Sequence, residues 1–249
     1  MIYFQQQVHQ NLKDFIRCYW QFENNSDGFL SYTIFPDGFF DLLICYHENH
    51  LEEVVLTGLW NLKTSVVIAP KTTIYGVQFR LLAIEGIIQD GIAEMLNSTK
   101  KLEKSYLGID EFEKNIGSFF FQHMNKQFLS LIEKHNPIDS RQSTLLKSID
   151  GTKGDRTIKD YSRIASWSPR QINRYFQSTF GLSLKTYCGI RKGASNYGQI
   201  KRGQLYPQQG YFDQSHFIKE IKKITGFTPK ALFKNDNDRF LQFSIIENK

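Results

Sequence analysis

The sequence predicts an α+β chain: an antiparallel β-rich N-terminal domain with accessory helices, then an all-α C-terminal domain. Three observations predict it. Six short aromatic and β-branched runs lie between Arg17 and Ile84, a helical unit is written twice between Thr157 and Lys234, and the two halves differ in charge. Residues 1–138 hold 11 Lys+Arg against 16 Asp+Glu, whereas residues 139–234 hold 18 against 6. An acidic half joined to a strongly basic one fits a sensor tied to a polyanion-binding domain.

In chain order, RCYWQFE, FLSYTIF, FFDLLICY, EEVVLTG, SVVIAP and TIYGVQFRLL read as strands, punctuated by Ser26-Asp27-Gly28 and Pro36-Asp37-Gly38. A sheet, sandwich or partial barrel of about six strands fits their lengths. Beyond Ile84 the texture is helical. Gln89–Leu96 reads as a short helix, Asp110 as the cap of a segment through Phe121, and Met124–Glu133 as a helix presenting Phe128, Leu131 and Ile132. Such helices either carry a dimer contact or pack on the sheet. Asn136-Pro137 is a break, so residues 1–138 are expected to form one sensing or dimerisation domain. A connector from Pro137 to Asp155, with a helical turn at Thr144–Ile149, leads into a second domain over 139–235. The tail, 236–249, is apolar around Phe240–Ile246 and is expected to dock against the rest of the chain.

Ser168–Tyr187 aligns on Asp213–Leu232 without a gap at an offset of 45 residues. Thr157, with Asp160 three residues on, starts a helix whose Ile158, Tyr161 and Ala165 share one side; a turn follows at Ser166-Trp167. Ser168 caps the next helix, Pro169 suits its first position and Gly181 ends it. Ile172, Phe176 and Phe180 form an inward stripe, leaving Arg170, Asn173, Arg174 and Gln177 outside. The second copy turns Phe217, Ile221 and Ile224 inward and Gln214, Ile218, Lys219 and Lys222 outward. Guanidinium and carboxamide groups are the side chains that pair bidentately with guanine and adenine edges in the major groove.

Residues 157–234 resemble the DNA-binding domain of AraC/XylS-type transcriptional regulators, through SPRQINRYFQSTFG, Arg191 in the connecting helix, and GYFDQSHFIKEIKKITGFTPK. The resemblance implies two helix-turn-helix units set in successive major grooves, roughly 34 Å apart. It implies DNA-facing roles for Ser168, Arg170, Gln171, Asn173, Arg174, Gln177, Gln214, Ser215, His216, Ile218, Lys219 and Lys222. For His216 a local hydrogen bond and a phosphate contact are both open; for Arg191, packing and phosphate contact are both open. CYWQFE, FPDGFFDLLI and GVQFR resemble the domain that precedes such DNA-binding domains in a poorly characterised group of regulators. The partners so implied are promoter DNA, RNA polymerase, a small-molecule effector and a second copy in a homodimer.

The sequence departs from that pattern on its scaffold. Leu205 and Tyr206 stand where the family has an Ile-Ala pair, and Pro207 follows, so the leading helix of the second unit is expected to be short or missing. Gly189, Gly193 and Gly198 each cost about 1 kcal/mol if helical.

Other functions find little support. Cys18, Cys45 and Cys188 form no C-x-x-C pair, so neither a disulfide framework nor a zinc site is expected, and a reducing cytoplasm fits. No run of about 18 apolar residues or leader pattern occurs, so neither export nor a membrane span is expected. No nucleophile elbow, phosphate loop, dinucleotide fingerprint or zincin motif is present; an enzyme is not expected, and no catalytic residue, metal or cofactor is implied. His47 and His50 near Glu48 and Glu52 fit a polar hairpin loop better than a metal site, and Asp37 fits a Pro-Asp-Gly turn better than an acid/base pair with Asp41. The rival function is a ligand-binding or protein-interaction module whose second unit has degenerated, which would bind DNA weakly and regardless of sequence.

Overall fold

The computed structural model describes residues 2–112, 117–134, 137–207, 210–235 and 239–242. Six predicted strands become eight among the described residues: β1 (Ile2–Gln6), β2 (Ile16–Asn24), β3 (Leu30–Ile34), β4 (Phe40–His47), β5 (His50–Thr57), β6 (Thr64–Ile68), β7 (Thr72–Phe79) and β8 (Thr99–Leu102). Six of them form an antiparallel sheet in the order β1-β2-β7-β4-β5-β8, and β3 pairs separately with β6. The two unpredicted strands are the sheet's edges, short segments whose sequences IYFQQ and TKKL fall outside the aromatic runs.

In β4 the pleat turns Phe40, Leu42, Ile44 and Tyr46 inward in strict alternation. Glu48 (φ 47°) and Asn49 (φ 70°) make the two-residue turn into β5, a left-handed pair whose twist matches that of the strands. His47 and His50 face one another across its mouth, as expected for a polar hairpin. Among the described residues no group of three or more His, Cys, Asp or Glu is placed to hold a metal.

Beyond the strands the helices depart from expectation in two places. Gln89–Leu96 is not a helix: a π-helical turn spans Ile84–Ile88, Gln89 is left-handed at φ 57°, and a single 3-10 turn covers Ala93–Met95. The amide of Ile92 donates to Thr179 O at 2.8 Å, so it is satisfied by the C-terminal half, while Gln89, Met95 and Leu96 donate to local turn carbonyls. Asp110 lies inside a short segment, Tyr106–Phe112, instead of capping a helix. The next described element is one long helix, α1 (Gly117–Lys134). It buries Phe120, Phe121, Met124 and Phe128 on the sheet, with ring centroids 5.0 Å apart for Tyr75–Phe120 and 5.6 Å for Phe79–Phe128.

Seven further helices complete the described residues: α2 (Ser140–Gly151), α3 (Ile158–Ala165), α4 (Pro169–Phe180), α5 (Leu184–Ala194), α6 (Tyr197–Lys201), α7 (Gln214–Thr225) and α8 (Pro229–Lys234). The predicted turn at Thr144–Ile149 is the middle of α2, which Asp139 caps. One apolar cluster runs without interruption from Leu12, Phe40 and Val77 through Leu145, Ile149 and Tyr161 to Ile172, Phe176, Phe180 and Tyr187. It therefore crosses the expected boundary at residue 138.

A second cluster, Phe35, Tyr197, Ile200, Phe217, Ile221, Leu232 and Phe240, lies under α6, α7 and α8, and a third joins Phe22, Tyr32 and Ile68 between the two sheets. In the second the tail finds its partner: the Phe240 ring lies 5.1 Å from Phe35 and 4.8 Å from Phe227, and Thr33 N donates to Arg239 O at 2.7 Å. The remainder of the expected apolar tail, 243–249, lies outside the described residues. Gly193 sits where α5 meets α7, since a Cβ there would stand 2.3 Å from Ile224 Cδ1, whereas one on Gly189 would meet nothing within 4 Å. No described helix is long and apolar enough to cross a membrane.

Candidate nucleic-acid interface

Each half of the repeat builds a short, firmly started helix. Thr157 and Asp160 form a capping box on α3, and Ser166 ends it in the left-handed conformation at φ 52°. Ser168 and Gln171 form a second box on α4: Ser168 Oγ accepts from Gln171 N at 3.3 Å, and Gln171 Oε1 accepts from Ser168 N at 2.9 Å. Ile172, Phe176 and Phe180 are fully buried, as the stripe predicts. Arg170, Gln171, Arg174 and Gln177 are exposed; Asn173 is half-buried and spends one amide hydrogen on Pro169 O at 3.1 Å.

The far end of α4 is fixed to the sheet domain. Tyr175 donates its hydroxyl to Glu85 Oε1 at 2.6 Å, and burial raises that phenol well above its usual range. A Cβ on Gly181 would meet Ala93 O at 2.8 Å. Beside this anchor, Arg141, Gln142, Trp167, Gln171, Arg174, Tyr175 and Ser178 line a cleft of about 350 Å³.

The second unit keeps the helix but not its lead-in. Asp213 Oδ1 accepts from His216 N at 2.7 Å, and Gly226 closes α7 at φ 79°. Phe217 and Ile221 are fully buried and Ile224 is buried; Gln214, Ser215, His216, Lys219 and Lys222 are exposed, with Ile218 half-buried. His216 also accepts from Phe212 N through Nδ1 at 3.3 Å and meets Tyr211 edge-on, so it makes the local contact, while its ring stays exposed. α6 ends at Lys201, and residues 202–207 and 210–213 make turns and loop, so no helix precedes α7 as α3 precedes α4 among the described residues. That is the outcome Pro207 predicts. Among the described residues, none forms an ion pair with Arg170, Arg174, Lys219 or Lys222, although Lys71, Lys101, Lys147 and Lys192 are paired elsewhere. Among the described residues the outward cations Arg170, Arg174, Lys219 and Lys222 are thus without an ion pair.

Arg191 does not belong to that face. It is 8 % exposed, donates to Asp37 O and to Asp150 Oδ1 at 2.9 Å each, and lies 4.1 Å over the Phe39 ring. Of the two roles left open, packing is the one it fills. Asp150 also pairs with Arg80. Tyr187 and Tyr197 donate to Gly38 O at 2.9 Å and Pro36 O at 2.8 Å, so the Pro36-Asp37-Gly38 turn is held on the helical domain from three sides. The predicted turn role of Asp37 holds, its Oδ1 accepting from Phe39 N at 3.0 Å. Burial raises the carboxyl of Asp37 and pushes that of Asp41 up to about 7, with the Asp37 charge adding to the second shift; the Trp20 indole N–H, at 2.9 Å, works against it. Sequence reasoning missed this contact set. Its one signal was the pairing of Tyr187 and Arg191 at i, i+4 on a helix next to a glycine turn.

The model of a domain of unknown function (DUF6597) matches residues 5–101, which contain CYWQFE, FPDGFFDLLI and GVQFR. No curated protein matches the chain. Among solved structures, apo ToxT K231A from Vibrio cholerae is similar at 14 % identity and TM-score 0.42, over 85 % of this chain and 99 % of that one. Wild-type ToxT from the same organism with unsaturated fatty acid bound gives 14 % and 0.42, over 86 % and 97 %. At that score the likeness says nothing about a site or an activity.

Proposed function

We propose that this chain is a sequence-specific transcriptional regulator of the AraC type that binds double-stranded promoter DNA through α4 and α7. One observation carries the proposal: two copies of one helix, 45 residues apart, each bury an apolar stripe and expose carboxamides and cations that form no ion pair among the described residues. In this scheme Arg170, Arg174 and Gln177 read base edges, with Asn173 contributing what its bond to Pro169 leaves free. Gln214, Ser215, Lys219 and Lys222 serve the second site, while Ser168 and Gln171 present α4 through their capping box. The sheet domain, tied to the connecting helix, senses an effector or carries a homodimer contact, and RNA polymerase is the partner in transcription.

The test is enrichment of duplexes from a random-sequence pool by the full chain, followed by affinity against salt. Expected are a defined sequence and a log–log slope of about −0.9 for each phosphate neutralised. Binding that is weak and indifferent to sequence would favour the rival function, which the missing lead-in to α7 supports.

A further inference from the structure

Trp167 and Phe212 hold the same place in the repeat, one residue ahead of the caps Ser168 and Asp213. Their surroundings differ. Trp167 packs on Tyr175 at 5.4 Å between ring centroids and under the Arg141 guanidinium at 5.3 Å, whereas Phe212 is 94 % exposed. The inward position is already taken, because Tyr211 lies against Phe217 at 5.0 Å. Nor is the backbone free to turn the ring inward, since the Phe212 amide is bonded to His216 Nδ1. Among the described residues none covers this ring, which stands in solvent at the start of α7.

The surroundings of the ring narrow the partner. The cap Asp213 comes directly after it, its carboxylate accepting from the His216 amide; Gln214, Ser215 and His216 follow, and Lys219 and Lys222 continue along the exposed side of the helix, so the ring stands at the head of a hydrogen-bonding face that becomes cationic further along and suits a polyanion. The first residues of a recognition helix are the ones that meet base edges, and the apolar feature of those edges in the major groove is the 5-methyl group of thymine. We propose that Phe212 packs on a thymine methyl group in the DNA bound by α7. This contact rests on the regulator function proposed above and adds a specificity residue to it.

The test uses the full chain and the duplex it enriches from a random pool. Each thymine is replaced in turn by deoxyuridine, which removes the methyl group alone. One replacement in the α7 half of the site is expected to weaken wild-type binding about fourfold, the worth of one buried methyl group. Phe212→Ala is expected to bind more weakly and to lose nothing further on that replacement, while Phe212→Leu keeps part of the sensitivity. Wild-type affinity in Phe212→Ala, or an undiminished loss on the same replacement, would overturn the contact and leave the regulator function standing. Failure of the wild-type chain to enrich any sequence would overturn both.

Discussion

Arg191 donates to the carbonyl oxygen of Asp37 at 2.9 Å, and with Tyr187, one turn back on the same helix, it joins the connecting helix to a turn of the sheet domain. The same guanidinium pairs with Asp150 and covers Phe39. Arg191→Ala removes all three contacts from a buried position, and a loss of about 2 kcal/mol in stability is expected. Urea unfolding followed by circular dichroism measures it. A midpoint unchanged from wild type would show that the clamp contributes nothing.

Asp41 ties stability to pH. Unfolded, its carboxyl releases a proton near 3.8, but burial holds that proton to about 7 in the native chain. The native state therefore carries the extra proton between those values, and the stabilisation is complete below about pH 4 and lost as pH rises through 7. Asp41→Asn should flatten the unfolding free energy across that window, and the variant should gain on wild type as pH rises. Thermal melts at closely spaced pH values would read the difference.

The connecting helix offers a matched pair of substitutions. Gly189→Ala adds a methyl group where nothing lies within 4 Å, so helix propensity should raise stability by up to about 1 kcal/mol. Gly193→Ala must displace Ile224 Cδ1, and it is expected to fall below Gly189→Ala by about 1 kcal/mol or more. Equal melting temperatures would mean that α5 and α7 are not in close contact at Gly193.

On the outward faces, stability and binding should separate. Arg174→Ala leaves the melting temperature nearly unchanged, because the side chain is exposed and forms no ion pair, yet specific binding should drop by about 1–3 kcal/mol if it reads a guanine. Lys222→Ala should weaken binding to all sequences alike and reduce the salt slope by about 1. Gel-shift titrations at several salt concentrations distinguish the two patterns.

Phe240 is fully buried among Phe35 and Phe227, so Phe240→Ala should cost about 3–5 kcal/mol where the second cluster is held. Hydrogen exchange should show α7 losing protection before α4 does.

Much of this was legible because local chemistry and tertiary packing agree. Ser168 and Gly181 bound α4, Asp213 and Gly226 bound α7, and the buried stripes follow from spacing alone. Gln89–Leu96 failed because Gln89 turns left-handed and the Ile92 amide donates to Thr179, a partner distant in sequence. Edge strand β1 is a short Ile-Tyr-Phe run that ends in two glutamines, and β8 is the polar TKKL, so neither registered as a strand. Arg191 stayed undecided between packing and phosphate contact for a related reason: on a basic helix an arginine pattern looks the same whether the outside of that helix meets solvent or a turn from the other half of the chain. Gly193, which reads as a helix weakness, is explained only once Ile224 is beside it.

The apolar cluster that passes from β4 and β7 into Phe176 and Phe180 bears on any attempt to study the C-terminal half alone. A fragment cut at the connector would tear across a shared interior, and Phe35 would also be gone from beneath α7. Such a piece would precipitate or melt for reasons unrelated to its ligand. α4, α7 and the sheet stand or fall together, so a disturbance felt in one has no slack joint in which to die out before it reaches the other.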